Sequence, residues 1–237
     1  MNILGIESSG LVASAAIVNG EKLVAEYTMN NKKTHSQTLL PMIEEIVSAA
    51  GMDICDMDYI AVSRGPGSFT GLRIGSATAK GLGLAVNKPL VEVPTLEALA
   101  WNLNGCENML ICPIMDARRG EVYTGVYESV RNGDGYMLKQ RMEETAEPLA
   151  TLVEFLNGQG CPVIFNGDGV AVHADYIRQN MKVPFSFASR TAMLQRASSV
   201  AELGAIYAAE GRSVSAAEHA LVYLRVSQAE REREKNV

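Results

Sequence analysis

Apolar positions along this chain fall into short runs, which alternate with longer stretches of helical spacing. Ile3–Glu7 is a short apolar run, Val12–Val18 is β-branched and small, and Lys22–Tyr27 alternates. Three strands are therefore predicted at the start. Asn19-Gly20, between the second and third, is the signal for a two-residue hairpin. Thr34 or Ser36 can cap a helix running to about Ala50, because Leu39, Leu40, Ile43, Ile46, Val47 and Ala50 step at helical spacing and Gly51 closes it. Tyr59–Ser63 reads as a buried strand and Arg64–Gly71 as a loop opening a second helix to about Val86. A short strand at Leu90–Val93 and a helix at Thr95–Leu103 complete this half.

The second half follows the same grammar. Met109–Asp116, Glu121–Tyr127 and Met137–Met142 read as strands, and Asn132-Gly133-Asp134-Gly135 turns the hairpin. A helix at Leu149–Leu156, a strand at Pro162–Phe165, the loop Asn166–Gly169 and helices at Val170–Asn180 and Ser198–Glu210 follow. Each half thus reads three strands, helix, strand, helix. That repetition predicts an α/β protein of two ribonuclease H-like lobes, as in actin, sugar kinases and Hsp70, with mixed sheets flanked by helices. The joint is expected in the polar stretch Asn102–Asn108, giving lobes of 1–104 and 105–237, with the last helix free to pack back on the first lobe.

Length and charge narrow the function. A chain of 237 residues can bury a sizeable core. Its 21 Lys+Arg against 27 Asp+Glu leave a net charge of −6, a poor endowment for gripping nucleic acid alone. Cys55, Cys106, Cys112 and Cys161 lie far apart with no CxxC pair, so they form neither a disulfide framework nor a zinc knuckle and suit a reducing cytosol. No apolar run approaches a membrane span, and the opening Met1–Gly5 passes directly into strand pattern, so a cytoplasmic protein is expected.

Candidate chemistry is sparse. Glu7-Ser8-Ser9-Gly10 and Asp116, at the first strand ends of the two halves, stand where kinases of this superfamily hold a metal-nucleotide, and Gly167-Asp168-Gly169 opens a later helix. Polar strand ends beside tight turns account for Glu7 and Asp116 more simply, because Glu replaces the usual Asp and the first hairpin is poor in glycine. Arg64–Gly71 leads into a helix N-terminus but lacks the Gly-Lys-Ser/Thr ending of a Walker A loop and the spacing of a nucleophile elbow. His35, His173 and His219 are isolated, without metal-ligand spacing, so no metal site is expected. Gly71, Gly75, Ala79 and Gly83 recur every four residues and make a ridge of very small side chains. Interior glycines cost about 1 kcal/mol each relative to alanine, so another element should approach the ridge, inside the lobe or across a subunit interface. Leu39, Met42, Ile43, Ile46 and Val47 of the preceding helix can share such a surface or form core. The terminal Glu230–Lys235 run is balanced in sign and reads as a solvated helix end.

Several stretches together resemble one family. They are Ile3–Ser9, His35-Ser36 before Leu39-Leu40-Pro41, the long run Ala61–Gly75, Pro94–Leu99 and Met115–Tyr123, with a looser fit at Gly167–Gly169 and Tyr223-Leu224-Arg225. Together they resemble the bacterial TsaB (YeaZ) family of tRNA threonylcarbamoyladenosine biosynthesis proteins. The resemblance implies the ASKHA fold and a cytoplasmic role in modifying the adenosine beside the anticodon of ANN-decoding tRNAs. TsaB is similar to its catalytic relative TsaD, which carries a metal-binding His-x-x-x-His where this chain looks to have Thr95 and Leu99. The implied role is a non-catalytic scaffold that needs no cofactor of its own. It binds TsaD and with it the ATPase TsaE, the ATP and metal residing in those partners and tRNA being reached through the complex. The family pairs through the two helices of the first lobe, as homodimer or with TsaD, which offers the ridge at Gly71, Gly75, Ala79 and Gly83, with Leu39 and Ile43, as the partner interface. Glu7, Ser8, Asp116, Gly167 and Asp168 are left as a vestigial nucleotide cleft. A small-molecule kinase of the same fold, and behind it a glycoprotease-type metallopeptidase, are the alternatives.

Overall fold

A computed structural model describes residues 1–20, 22–31 and 34–224. Arg225 and the charged Glu230–Lys235 run lie outside the described residues.

The first sheet grows from the opening hairpins. β1 (Asn2–Glu7) pairs antiparallel with β2 (Ala13–Asn19), which pairs antiparallel with β3 (Lys22–Met29). Asn19 faces Lys22 across a turn in which Gly20 takes φ +56, the left-handed geometry glycine accepts without strain. α1 (His35–Ala49) follows, then β4 (Tyr59–Gly65), parallel to β1, then α2 (Phe69–Val86). β5 (Leu90–Pro94) joins β4 in parallel, and α3 (Thr95–Trp101) leaves the sheet.

The second half repeats that order. β6 (Leu110–Asp116), β7 (Glu121–Asn132) and β8 (Gly135–Pro148) form an antiparallel meander. α4 (Leu149–Gln159), β9 (Val163–Asn166), α5 (Gly169–Asn180), β10 (Phe185–Phe187) and α6 (Ala197–Ala209) complete it. The sheets run β3-β2-β1-β4-β5 and β10-β9-β6-β7-β8. Replacing each strand of the first by its counterpart five later gives the second. The duplication read from the hydrophobic pattern is therefore real, and the fold is the two-lobed ASKHA arrangement.

Three expectations need correction. β7 and β8 extend to Asn132 and Pro148, well past the predicted Tyr127 and Met142. Much of β8 is exposed or half-buried, so its outer part carries no clean apolar alternation. β10 was not predicted, being only three residues long, just after Pro184. α3 ends at Trp101 instead of Leu103.

Each sheet covers a core on its own side. Leu4, Ile6, Ile17, Ile60 and Val62 meet Leu39, Ile43 and Ile46 of α1 and Ala79 of α2. In the second sheet, Cys112, Ile114, Val122, Val126 and Phe165 meet Leu152 and Leu156 of α4 and Ile177 of α5. α6 belongs to the second half in sequence but lies on the first sheet, where Val200, Ala201 and Leu203 pack on Ile3, Ala61, Val91 and Val93. Glu26 on β3 fixes its start: the carboxylate pairs with Arg196 and accepts the Ser198 backbone N–H at 3.1 Å and its hydroxyl at 2.7 Å.

Candidate functional site

The turn after β1, which the sequence offered as half of a nucleotide cleft, is turned inward. Glu7 is completely buried. One carboxylate oxygen accepts the Ser9 backbone N–H at 2.6 Å and the Ser9 hydroxyl, and the other accepts the Ser63 hydroxyl from β4. Burial raises its pKa, and the Ser63 and Ser9 donors together with His35 oppose that rise. Ser8 donates its hydroxyl to the Gly71 carbonyl at 2.8 Å, and Ser9 accepts the Ser68 backbone N–H on its own carbonyl at 2.7 Å. His35 joins the same turn through its Nε2 and the Gly10 carbonyl, 2.9 Å apart. Gln195, just before α6, closes it from above: a side-chain carbon added at Gly10 would meet the Gln195 amide nitrogen at 2.7 Å.

The glycine ridge belongs to this arrangement. A Cβ at Gly71 would lie 2.1 Å from the Ser8 carbonyl oxygen, and one at Gly75 would lie 2.3 Å from the Ser8 hydroxyl oxygen. Gly83 faces Leu90 and Ala216 in the same way. The close neighbour that offsets the glycines' conformational cost is thus the turn after β1 and the edge of the same sheet, not a second helix. Gly71, Gly75, Ala79 and Gly83 are buried within the chain, as are Leu39 and Ile43 at 1% and 2% exposure, although Ile43 also lines a groove beside α1. The glycine ridge itself thus packs inside the lobe. On α1 Leu40 is 53% exposed. It borders a groove of about 490 Å³ lined by Ile43, Val47, Met52, Ile54 and Leu82, with Glu44, Ser48 and Asp53 at its polar edge.

The second half of the expected cleft is a separate group. Asp116, at the end of β6, accepts the Arg118 backbone N–H at 2.9 Å and lies 3.2 Å from the Arg118 guanidinium. Arg118 and Arg119 both take left-handed φ, and Asp116 holds that turn in place. His173 of α5 comes within 3.8 Å of the same carboxylate, a meeting its isolation in sequence did not announce. Asp168 starts α5, and burial raises its pKa, as does the neighbouring charge of Asp116. The Gly167 backbone N–H donates to the Met193 carbonyl at 2.6 Å, and Asn166 donates to the Leu99 carbonyl at 2.7 Å. Segment 192–196 therefore bridges the two halves, with Asn102 also reaching the Leu194 carbonyl at 2.8 Å. Thr95 and Leu99, which the resemblance set against the TsaD histidines, are fully buried. Among the described residues no group of three His, Cys, Asp or Glu is disposed to hold a metal ion.

Comparison with known proteins adds the family. The family model described as "TsaD: tRNA N6-adenosine threonylcarbamoyltransferase" matches residues 22–229. The tRNA threonylcarbamoyladenosine biosynthesis protein TsaB of Bacillus subtilis is 34% identical over 233 residues, which cover 97% of this chain and 96% of that protein. The chain belongs to the TsaB family. The TsaB of Haemophilus influenzae is 29% identical over 234 residues, covering 95% of this chain and 94% of its own. A Pseudomonas aeruginosa crystal structure described as similar to peptidase YEAZ superposes with a TM-score of 0.76 at 26% identity, covering 94% of this chain and 99% of that one. In this TsaB-family chain the long run Ala61–Gly75 that carried the resemblance has a structural job. It is β4, the turn and the start of α2, all packed around Ser8 and Ser9.

Proposed function

We propose that this chain is a non-catalytic partner subunit in the formation of threonylcarbamoyladenosine on ANN-decoding tRNAs, working in the cytoplasm beside a TsaD-type transferase and, through it, TsaE. The observation that carries the reading is the state of the turn after β1. The Ser8 hydroxyl, the Ser9 backbone N–H and hydroxyl, the Glu7 carboxylate and His35 all bond within the chain, to α2, β1, β4 and the turn itself, and Gln195 lies against Gly10. A catalytic ASKHA protein must keep that turn open to its nucleotide. The buried Thr95 and Leu99 point the same way, since neither can coordinate a metal as imidazole does.

The α1/α2 flank is the surface on which the partner docks. A large apolar side chain, Leu40, exposed beside a groove lined by apolar residues of both helices with a polar edge is what a helical interface uses. The net charge of −6 suits a protein partner better than direct contact with RNA, so tRNA is reached through the complex. When alone, a second copy can occupy the same flank.

Reconstituted threonylcarbamoyl transfer with purified TsaD, TsaE and the adenylate-forming synthase tests this. Transfer should require both this chain and TsaD, and this chain in place of TsaD should give none. Leu40→Glu should abolish the requirement's benefit by breaking association, read by light scattering, while leaving the circular dichroism spectrum unchanged. Transfer that proceeds equally without this chain, or with this chain instead of TsaD, would refute the proposal.

A further inference from the structure

Five asparagines in this chain, Asn19, Asn104, Asn132, Asn157 and Asn166, are each followed by glycine. Such a pair can react with itself, because glycine has no side chain to obstruct its own amide nitrogen as it approaches the asparagine side-chain carbonyl carbon. The reaction needs that nitrogen released from hydrogen bonding and the asparagine amide able to turn. Four of the pairs are held. Asn166 is completely buried and donates to the Leu99 carbonyl at 2.7 Å, while the Gly167 N–H donates to the Met193 carbonyl at 2.6 Å. Asn104 accepts the Ser129 hydroxyl at 2.8 Å, and the Gly105 N–H donates to that hydroxyl oxygen at 2.7 Å. Asn157 lies inside α4, where it donates to the Asn180 carbonyl at 3.0 Å and accepts the Lys182 N–H at 2.7 Å. After Asn19, the Gly20 N–H donates to the Met1 carbonyl at 3.1 Å.

Asn132 differs. It ends β7 and faces Gly135 across the turn Gly133-Asp134, in which Gly133 takes φ +60. Residues 131–135 are all exposed, and a Cβ at Gly133 would meet nothing. Neither the Asn132 side chain nor the Gly133 N–H bonds to any described residue. The turn thus combines the reactive pair with a free nucleophile and a free amide.

We propose that Asn132, at the tip of the β7–β8 hairpin, is this chain's site of spontaneous deamidation. The Gly133 nitrogen bonds to Cγ of Asn132, the Cγ–Nδ2 bond breaks, and the side-chain nitrogen leaves as ammonia with the Gly133 amide proton. Solvent water then opens the cyclic imide at either carbonyl. One opening leaves aspartate in an ordinary main chain, and the other leaves isoaspartate, with the main chain rerouted through the side-chain carbon. Nothing is oxidised or reduced. Either product adds a negative charge beside Asp134. The isoaspartyl product also puts an extra methylene into a tip that is fastened to the joint between the lobes, Arg131 to Glu107 at 2.9 Å and the Tyr136 carbonyl to Asn104 at 3.2 Å.

The full chain is aged in heavy-oxygen water at mildly alkaline pH, digested in ordinary water and mapped by mass spectrometry. The peptide carrying Asn132 should exchange its amide for an acid with one solvent oxygen, roughly tenfold faster than any of the other four, since a hydrogen bond that must first break slows the attack by up to about that factor. Asn132→Gln cannot close the same five-membered ring, so that peptide should stay unlabelled while the other four label as before. Ageing in denaturant removes the fold's protection, and all five pairs should then react at comparable rates. Equal labelling of Asn132 and Asn19 in the folded chain overturns the proposal. So does a lead of Asn132 that persists in denaturant, because the fold would then not be its cause.

Discussion

Gly75 shows how a residue's role can be legible while its partner is not. A four-residue glycine repeat in a helix signals that something comes close, and it does: Ser8 occupies the space a Cβ would take. The repeat could not say whether the neighbour belonged to the same chain. Gly75→Leu should therefore unsettle the fold itself, because its side chain would have to displace the Ser8 hydroxyl and the bond that Ser8 makes to Gly71. Overpacking of this kind costs about 1–3 kcal/mol, so the melting temperature should fall by several degrees. Calorimetry on the purified variant checks it; an unshifted melting temperature with reduced self-association would return the ridge to an intermolecular role. Glu7 carries the same lesson. As a polar strand end beside a turn it reads as a structural residue, but its Ser63 partner lies 56 residues away and is invisible to local spacing.

The start of α6 is the plainest case at the level of an element. Its N-cap is Arg196, which makes no side-chain cap, and the sequence offers Ser198 and Ser199 just after it. Glu26 supplies the missing acceptor from β3. Burial works against that carboxylate, but the donors Arg196 and Ser198 prevail and lower its pKa. A depressed carboxyl contributes stability that is present above its unfolded value and disappears as pH falls through the folded one. Glu26→Gln should thus lower the melting temperature at neutral pH, with the difference from wild type shrinking as pH drops below about 4.5. A difference independent of pH would mean that the shape of the side chain matters and its charge does not. The other elements were legible to varying degrees. β1 to β5 and α1 to α3 follow clean apolar periodicity and turn residues, so their bounds were read to within a few residues. The outer reaches of β7 and β8 were missed because neither face is consistently buried, and periodicity records burial.

For the whole molecule, the repeated sheet order hides an unequal division of labour. Val200, Ala201 and Leu203 of α6 cover Ile3, Ala61, Val91 and Val93 of the first sheet. Residues 1–104 alone would leave that face bare. The isolated fragment 1–104 should therefore show no cooperative thermal transition by circular dichroism, whereas the full chain should melt as one unit. A sharp transition in the fragment would show that the first lobe holds its core without α6.

The sequence by itself determined the duplicated order of strands and helices, because alternation, helical spacing and Gly/Pro turns are local and each half writes them out in full. It also determined the family, through the uninterrupted run Ala61–Gly75 and four shorter ones in the same order. Only the tertiary structure decided that the turn after β1 is filled from within, and that the glycine ridge faces inward and leaves Leu40 and Leu84 outside. The reason is physical. Burial and hydrogen bonding are made between residues tens of positions apart, and a side chain's partner is fixed by how the lobes fold onto each other, which no local pattern records.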